Sequence, residues 1–197
     1  MRSSPLALTV LSLLHMRPLH PYGIQRLIKQ WGKDQVVNVS QRASLYRTID
    51  RLLAAGLIAV RETEKDPQYP ERTVYEVTET GRQTHRAWLR EMLAAPRTEY
   101  PEFPAALSFV LMLTPGETRE VLAERSGKVR AALAALDTAA GQAGELALPR
   151  VTMLEDEYRR AVLTAELGWL DSVVADLQAG DLTWDFDSLT ALAAAQG

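Results

Sequence analysis

Gln41, Arg42, Ser44, Arg47, Thr48 and Arg51 stand in one short stretch whose other positions include apolar residues at helical spacing. Glutamine offers a donor and an acceptor side by side, arginine a fork of N–H donors, and serine or threonine a hydroxyl that plays either part. These groups match adenine, guanine and phosphate oxygens. In a helix begun by Ser40 they project away from a stripe of Leu45, Ile49, Leu52 and Leu53, and the first of them lie at the end that enters a major groove. Ser40, Gln41, Arg42 and Ser44 are therefore expected at the reading end, with the last three at base edges and Arg47 and Arg51 at phosphates. Lys65 and Arg72 bracket a polar tip containing two prolines, where cations suit a minor groove or its phosphates; a solvated tip is the plain alternative. Tyr22 and Lys29 are placed to touch phosphates too. Tyr46 joins an apolar ring to a polar hydroxyl, so it either donates to the nucleic-acid backbone from the helix flank or packs against the following hairpin.

Other clusters support no chemistry. The chain has no cysteine, which excludes disulfides and thiol catalysis. His15, His20 and His85 are scattered, with no acidic residue at ligand spacing, so no metal is expected and His85 reads as a tucked-in helix residue. Glu155, Asp156 and Glu157 lie near a helix start, where negative charge favours the dipole. No phosphate-binding glycine loop or nucleophile elbow occurs, and the serines show no histidine partner pattern, so neither an enzyme nor a cofactor is expected.

The elements that must position the reading residues follow from periodicity. Leu6, Val10, Leu13 and Leu14 predict a helix ending before Pro18. Pro21 suits a first helical position after His20, and Ile24, Leu27, Ile28 and Trp31 predict an inward stripe that stops at Gly32. Ser40 can cap the reading helix, and Gly56 ends it. Residues 57–63 and 73–78 are β-branched and aromatic and predict a hairpin. Thr78 can cap a fourth helix with His85, Trp88, Leu89 and Met92 on one face.

Pro96, Pro101 and Pro104 then change the composition, and the domain boundary is placed at residues 95 and 96. Residues 1–95 hold 14 basic against 9 acidic side chains, a net of +5, while residues 96–197 hold 8 against 16, a net of −8. A basic and an acidic half suggest separate tasks. In the second half, Thr114 and Glu117 form a capping box at the head of a long helix running to about Leu146. Leu122, Val129, Leu136 and Ala143 recur there at heptad spacing. A last helix, roughly 152–178, carries two stripes: Leu163, Leu167, Leu170, Val174 and Leu177, and Leu154, Tyr158, Val162, Trp169 and Val173. Two stripes need two partners, and a second copy of the chain is the simplest cover for one. The alternative cover is the N-terminal helix of the same chain. Apolar runs are too short to span a membrane, and a cytoplasmic location is the default.

The runs LLHMRPLHPYGIQRLIK, LYRTIDRLLAAGLI and TVYEVTETGRQTHRAWL, followed by an acidic helical half, resemble the PadR family of bacterial winged-helix transcriptional regulators. The likeness is most specific at His20-Pro21-Tyr22-Gly23, at Leu45-Tyr46 with Leu52 and Gly56-Leu57-Ile58, and at residues 75–81. Ala43 stands where glycine is usual in the family, and Arg47-Thr48 where Pro-Ala is common. The resemblance implies a mainly α protein, with an N-terminal winged helix-turn-helix of three helices and a hairpin wing, then a C-terminal helical dimerisation domain of the family's longer class. It implies duplex DNA and a second copy of the chain as partners, with Leu122, Val129, Leu163, Leu167, Leu170, Val174 and Leu177 at the dimer contact. Family members include sensors of phenolic and hydrophobic compounds, so a small aromatic effector is a further expected partner, with Trp88, Tyr100, Phe103 and Trp169 as candidates to line its site. The function expected is repression at a near-palindromic operator. The alternative is an adaptor that turns the same winged helix to protein contacts.

Overall fold

The structure, a computed structural model, describes residues 2–39, 42–64, 72–95 and 97–185. Ser40, Gln41 and Lys65 lie outside the described residues, as do Phe186, Leu189 and Leu192 of the tail, and nothing is said of the side chains of Arg42 and Arg72. The chain divides into two compact units, Met1–Glu99 and Tyr100–Gly197.

In the first unit, α1 (Pro5–Met16) begins where the Ser4 hydroxyl accepts the Ala7 amide, with Pro5 at the first turn where its missing N–H costs nothing. The helix stops as the backbone turns extended at Arg17, ahead of Pro18. The second helix, α2 (Pro21–Gln30), is capped by a ring rather than a hydroxyl: His20 Nδ1 accepts the Gly23 amide at 3.2 Å. Gly32, at φ +64°, ends it through a left-handed conformation that glycine adopts without strain. Trp31, expected on the inward stripe, sits past the last turn of α2 and is exposed. Val37 and Val39, in the loop after a 3₁₀ turn (Lys33–Gln35), are buried instead and pin that loop to the core.

The reading helix is α3 (Arg42–Ala54), whose Leu45, Ile49 and Leu52 are buried while Leu53, expected beside them, is partly exposed. Strands β1 (Ile58–Glu64) and β2 (Arg72–Val77) pair antiparallel from Ile58↔Val77 to Glu64↔Arg72, with Arg61 as the extra residue of a bulge between Val60 and Glu62. Leu19 adds a two-bond bridge to Tyr75, giving the hairpin a short third edge. Helix α4 (Glu79–Ala94) starts at Thr78, whose hydroxyl accepts the Gly81 amide and donates to Gly56 O. Gly81 has no substitute: a Cβ there would lie 2.0 Å from Leu57 O. These elements share one core, from Ala7, Val10 and Leu11 through Ile24, Ile28, Ile49, Leu52 and Ile58 to Trp88. Leu89, expected on the inward face of α4, is partly exposed.

The second unit opens with α5 (Glu102–Leu107), a short helix in the proline-marked segment that the sequence reading left without structure. Helix α6 (Pro115–Glu145) follows its capping box, with Thr114 Oγ1 accepting the Glu117 amide and Glu117 accepting the Thr114 amide at 2.8 Å. The Glu117 carboxyl is held below the usual range, chiefly by the Thr114 backbone N–H. Helix α7 (Leu154–Ala179) returns antiparallel and ends at Gly180, φ +83°. Cross-links at Ser126–Asp171 and Asp137–Arg160 fix that register. All four heptad residues, Leu122, Val129, Leu136 and Ala143, are buried. Among the described residues no helix is long and apolar enough to cross a membrane.

Candidate nucleic-acid interface

The outer side of α3 carries the charge. Tyr46 and Arg47 are exposed, and so is Arg51. Arg47 lays its side chain back along the helix: Nε donates to Ala43 O at 3.2 Å and Nη2 to Ser44 Oγ at 3.4 Å. Arg51 repeats the pattern one turn on, with Nε to Arg47 O at 3.3 Å and Nη2 to Thr48 Oγ1 at 3.2 Å. Neither guanidinium has a carboxylate partner among the described residues. Both line an open groove of about 610 Å³ whose walls also include Ser4 and Leu6 at the head of α1, Asn38, Ser44 and Asp50. Thr48, expected among the outward readers, is 2% exposed. Its hydroxyl donates to Ser44 O at 2.8 Å, which removes the penalty of burying it.

Tyr22, on the first turn of α2, is 60% exposed, with its ring stacked on His20 at 5.9 Å. Burial pushes the Tyr75 phenol up, with Asp50 and Tyr46 adding to the effect, so it stays neutral beside α3. On the hairpin, Arg61 lies 3.9 Å from Glu76. The structure therefore gathers Ser44, Arg47 and Arg51 on one groove; Tyr22 and Tyr46 are exposed on α2 and α3 of the same unit.

The histidines are less scattered than their spacing suggests. His85 Nε2 lies 2.8 Å from Ser12 Oγ, and the His15 and His85 rings are 5.6 Å apart. Ser12 also meets Leu8 O at 2.9 Å; with its proton directed there, the His85 N–H donates to the serine oxygen. No group of three metal-ligating side chains forms among the described residues.

In the second unit, the side chains expected at a dimer contact are used within the chain. Leu122, Val129, Leu170 and Leu177 form its core, with Leu163, Leu167 and Val174 packed against them. They hold α6 to α7. The other stripe of α7 is open at Leu154, Tyr158, Val162 and Trp169, whereas Val173 packs on the core. Of the residues expected at an effector, Trp88 is buried in the first unit and Tyr100 is fully exposed. Phe103 and Trp169 meet edge to face at 6.0 Å, and the Arg125 guanidinium lies 3.6 Å from the Phe103 centroid while pairing with Glu166.

Residues 10–87 match the model of the transcriptional regulator PadR-like family. No curated protein matches the chain. Solved structures share the fold along most of its length. Bacillus subtilis PadR in complex with operator DNA is 21% identical with a TM-score of 0.72, covering 88% of this chain and 99% of that one. The same regulator in complex with p-coumaric acid is 21% identical with a TM-score of 0.69, covering 88% and 98%. The Vibrio cholerae virulence activator AphA is 24% identical with a TM-score of 0.67, again covering 88% and 98%. Over residues 10–87, fewer than half of its 197, the chain is similar to the PadR-like family of transcriptional regulators.

Proposed function

We propose that the protein is a cytoplasmic repressor that binds duplex DNA as a homodimer at a near-palindromic operator and is released by a small hydrophobic or aromatic effector. The observation that carries this reading is the outer side of α3, where Arg47 and Arg51 stand exposed on one groove and, although Asp50 shares its wall, neither guanidinium is ion-paired among the described residues. Residues 1–95 read the DNA: Ser40 at the reading end, Gln41, Arg42 and Ser44 at the base edges, Arg47, Arg51, Tyr46 and Tyr22 at the backbone, and Lys65 and Arg72 from the hairpin. Residues 96–197 pair two copies through the open stripe of α7 and set two reading helices about one DNA turn, roughly 34–36 Å, apart. Support for DNA and effector comes from the relatives, since Bacillus subtilis PadR has been crystallised with operator DNA and with p-coumaric acid. The Phe103–Trp169 contact beside Arg125 is the place where an aromatic acid would find both ring and cation. An effector that prefers one spacing of the reading helices lowers operator affinity by that difference in binding.

Selection of bound fragments from random duplex DNA tests the reading. An inverted repeat, bound by a species of twice the chain mass and weakened steeply by salt, is the expected result. Addition of p-coumaric acid to the bound duplex then checks release. Protein that sediments as a monomer and retains no duplex at low ionic strength overturns the proposal and leaves an adaptor as the function of the winged helix.

A further inference from the structure

The side chain that organises the α3 surface is one that cannot touch DNA. Thr48 is 2% exposed and packs on the inward side of α3 between Leu45 and Leu52, which lie one turn away on either side. Its hydroxyl proton goes to Ser44 O at 2.8 Å, so the oxygen is oriented and left with lone pairs facing outward. Arg51 Nη2 donates to that oxygen at 3.2 Å while Nε donates to Arg47 O at 3.3 Å. Two anchors on one planar group fix its orientation as well as its position, and the remaining N–H donors are left to the groove that Arg51 lines. Arg47 is held in the same way, but its hydroxyl anchor, Ser44 Oγ at 3.4 Å, is longer and less buried. An exposed arginine held by nothing loses rotamer entropy each time it meets an anion; one held beforehand loses less.

We propose that Thr48 is a positioning residue, which holds the Arg51 guanidinium ready for a phosphate oxygen at the groove wall. The inference rests on the reading of α3 as the DNA-binding helix. It assigns the loss of affinity on removing one hydroxyl to Arg51 rather than to the fold. Valine matches threonine in shape and keeps the β-branch, so Thr48→Val removes only the oxygen, and Thr48→Ser restores it.

The experiment measures affinity for a duplex recovered by selection, over a range of salt, for the full-length protein and for Thr48→Val, Thr48→Ser, Arg51→Ala and the Thr48→Val/Arg51→Ala double variant, with thermal unfolding of each. The expected result is that Thr48→Val weakens binding about three- to tenfold without lowering the unfolding temperature, that Thr48→Ser binds as the parent does, and that Arg51→Ala reduces the salt slope by about one. In the Arg51→Ala background, Thr48→Val should cost nothing further. Parent-like binding by Thr48→Val beside a weakened Arg51→Ala overturns the positioning role and leaves the DNA reading intact. Additive losses in the double variant overturn it equally. Parent-like binding by Arg51→Ala removes the phosphate contact on which the role depends, and a parent protein that binds no duplex sinks the DNA reading itself. If Thr48→Val unfolds, the comparison of Thr48→Ala with Thr48→Ser, each with and without Arg51, decides the same question.

Discussion

On α3, Arg47 and Arg51 hold on to hydroxyls and carbonyls; on α6 and α7, Arg125, Arg130, Arg159 and Arg160 hold on to carboxylates. Arg125, Lys128, Arg130, Arg150, Arg159 and Arg160 each lie within 4.0 Å of an acidic partner, leaving Arg119 as the one basic side chain of the second unit outside such a pair among the described residues. Arg26, Lys29, Arg47 and Arg51 on α2 and α3 have none among the described residues. Exposed ion pairs contribute little to stability, so the difference is not one of strength. It is one of availability. A guanidinium already facing a carboxylate must break that contact before it meets a phosphate, whereas one resting on a hydroxyl keeps its charge uncompensated. The second unit pairs most of its cations, whereas α2 and α3 leave Arg26, Lys29, Arg47 and Arg51 unpaired among the described residues.

The contrast is broken most forcefully at the apolar contact between the two long helices. Leu170 is fully buried against Leu122 and Val129, and Leu170→Ala should destabilise the second unit by about 2–5 kcal/mol, read by denaturant unfolding. If the first unit unfolds independently, its own transition should stay where it was. A single shared transition that moves as one would show the two units to be energetically joined. Next in size is Arg47→Ala/Arg51→Ala, which should lower duplex affinity roughly 10- to 100-fold at low salt and reduce the salt slope by about two, with no loss of folding stability. The matching double change Arg125→Ala/Arg130→Ala should do the reverse, lowering stability while sparing the salt slope. If both pairs weaken binding alike, availability is not what separates the two surfaces.

Much of this was legible in the chain because it is local. The caps at Thr78 and Thr114, the stops at Gly32 and Gly56, and the heptad that ends in Ala143 all follow from neighbours within a turn or two. What escaped is what depends on distant residues or on a polar side chain turning inward. Thr48, expected to project away from the apolar stripe, lies one turn from both Leu45 and Leu52 and turns inward; the Ser44 carbonyl that satisfies it is invisible to a count of polarity. Ser12 and His85 meet across 73 positions, and Leu19 bridges Tyr75, and neither pairing has a periodic signal. For the leucines of α6 and α7 periodicity alone does not choose a partner, because a stripe looks the same whether it packs within this chain, as these do, or on another. On the candidate site itself, Arg47 and Arg51 were legible from spacing, but the way their side chains are held was not.

A smaller effect tests whether the paired surface matters for folding at all. Arg125 and Glu166 form a half-buried ion pair, at 38% and 21% exposure, and the guanidinium also covers Phe103. Glu166→Gln keeps the shape and a hydrogen-bond acceptor while removing the charge, so it should cost about 1 kcal/mol or less after screening by solvent. A larger loss would make this pair structural rather than a way of neutralising charge.

The smallest expected change separates the units by pH. Burial holds the His85 imidazole below its ordinary 6.5, and the neighbouring His15 lowers it further. The unfolded chain therefore takes up a proton at this site before the folded chain does. Stability from His85 is fully present above pH 6.5 and declines as the pH falls through the lower folded value. The loss should appear in the first unit, where α1 and α4 meet through Ser12 and His85, and not in the second, which has no histidine. His85→Gln retains an N–H for the Ser12 oxygen and does not titrate, so its unfolding free energy should lose this slope below pH 6.5. A slope that persists unchanged in His85→Gln would take the titration away from His85, and a slope in the second unit alone would place it outside the α1–α4 contact altogether.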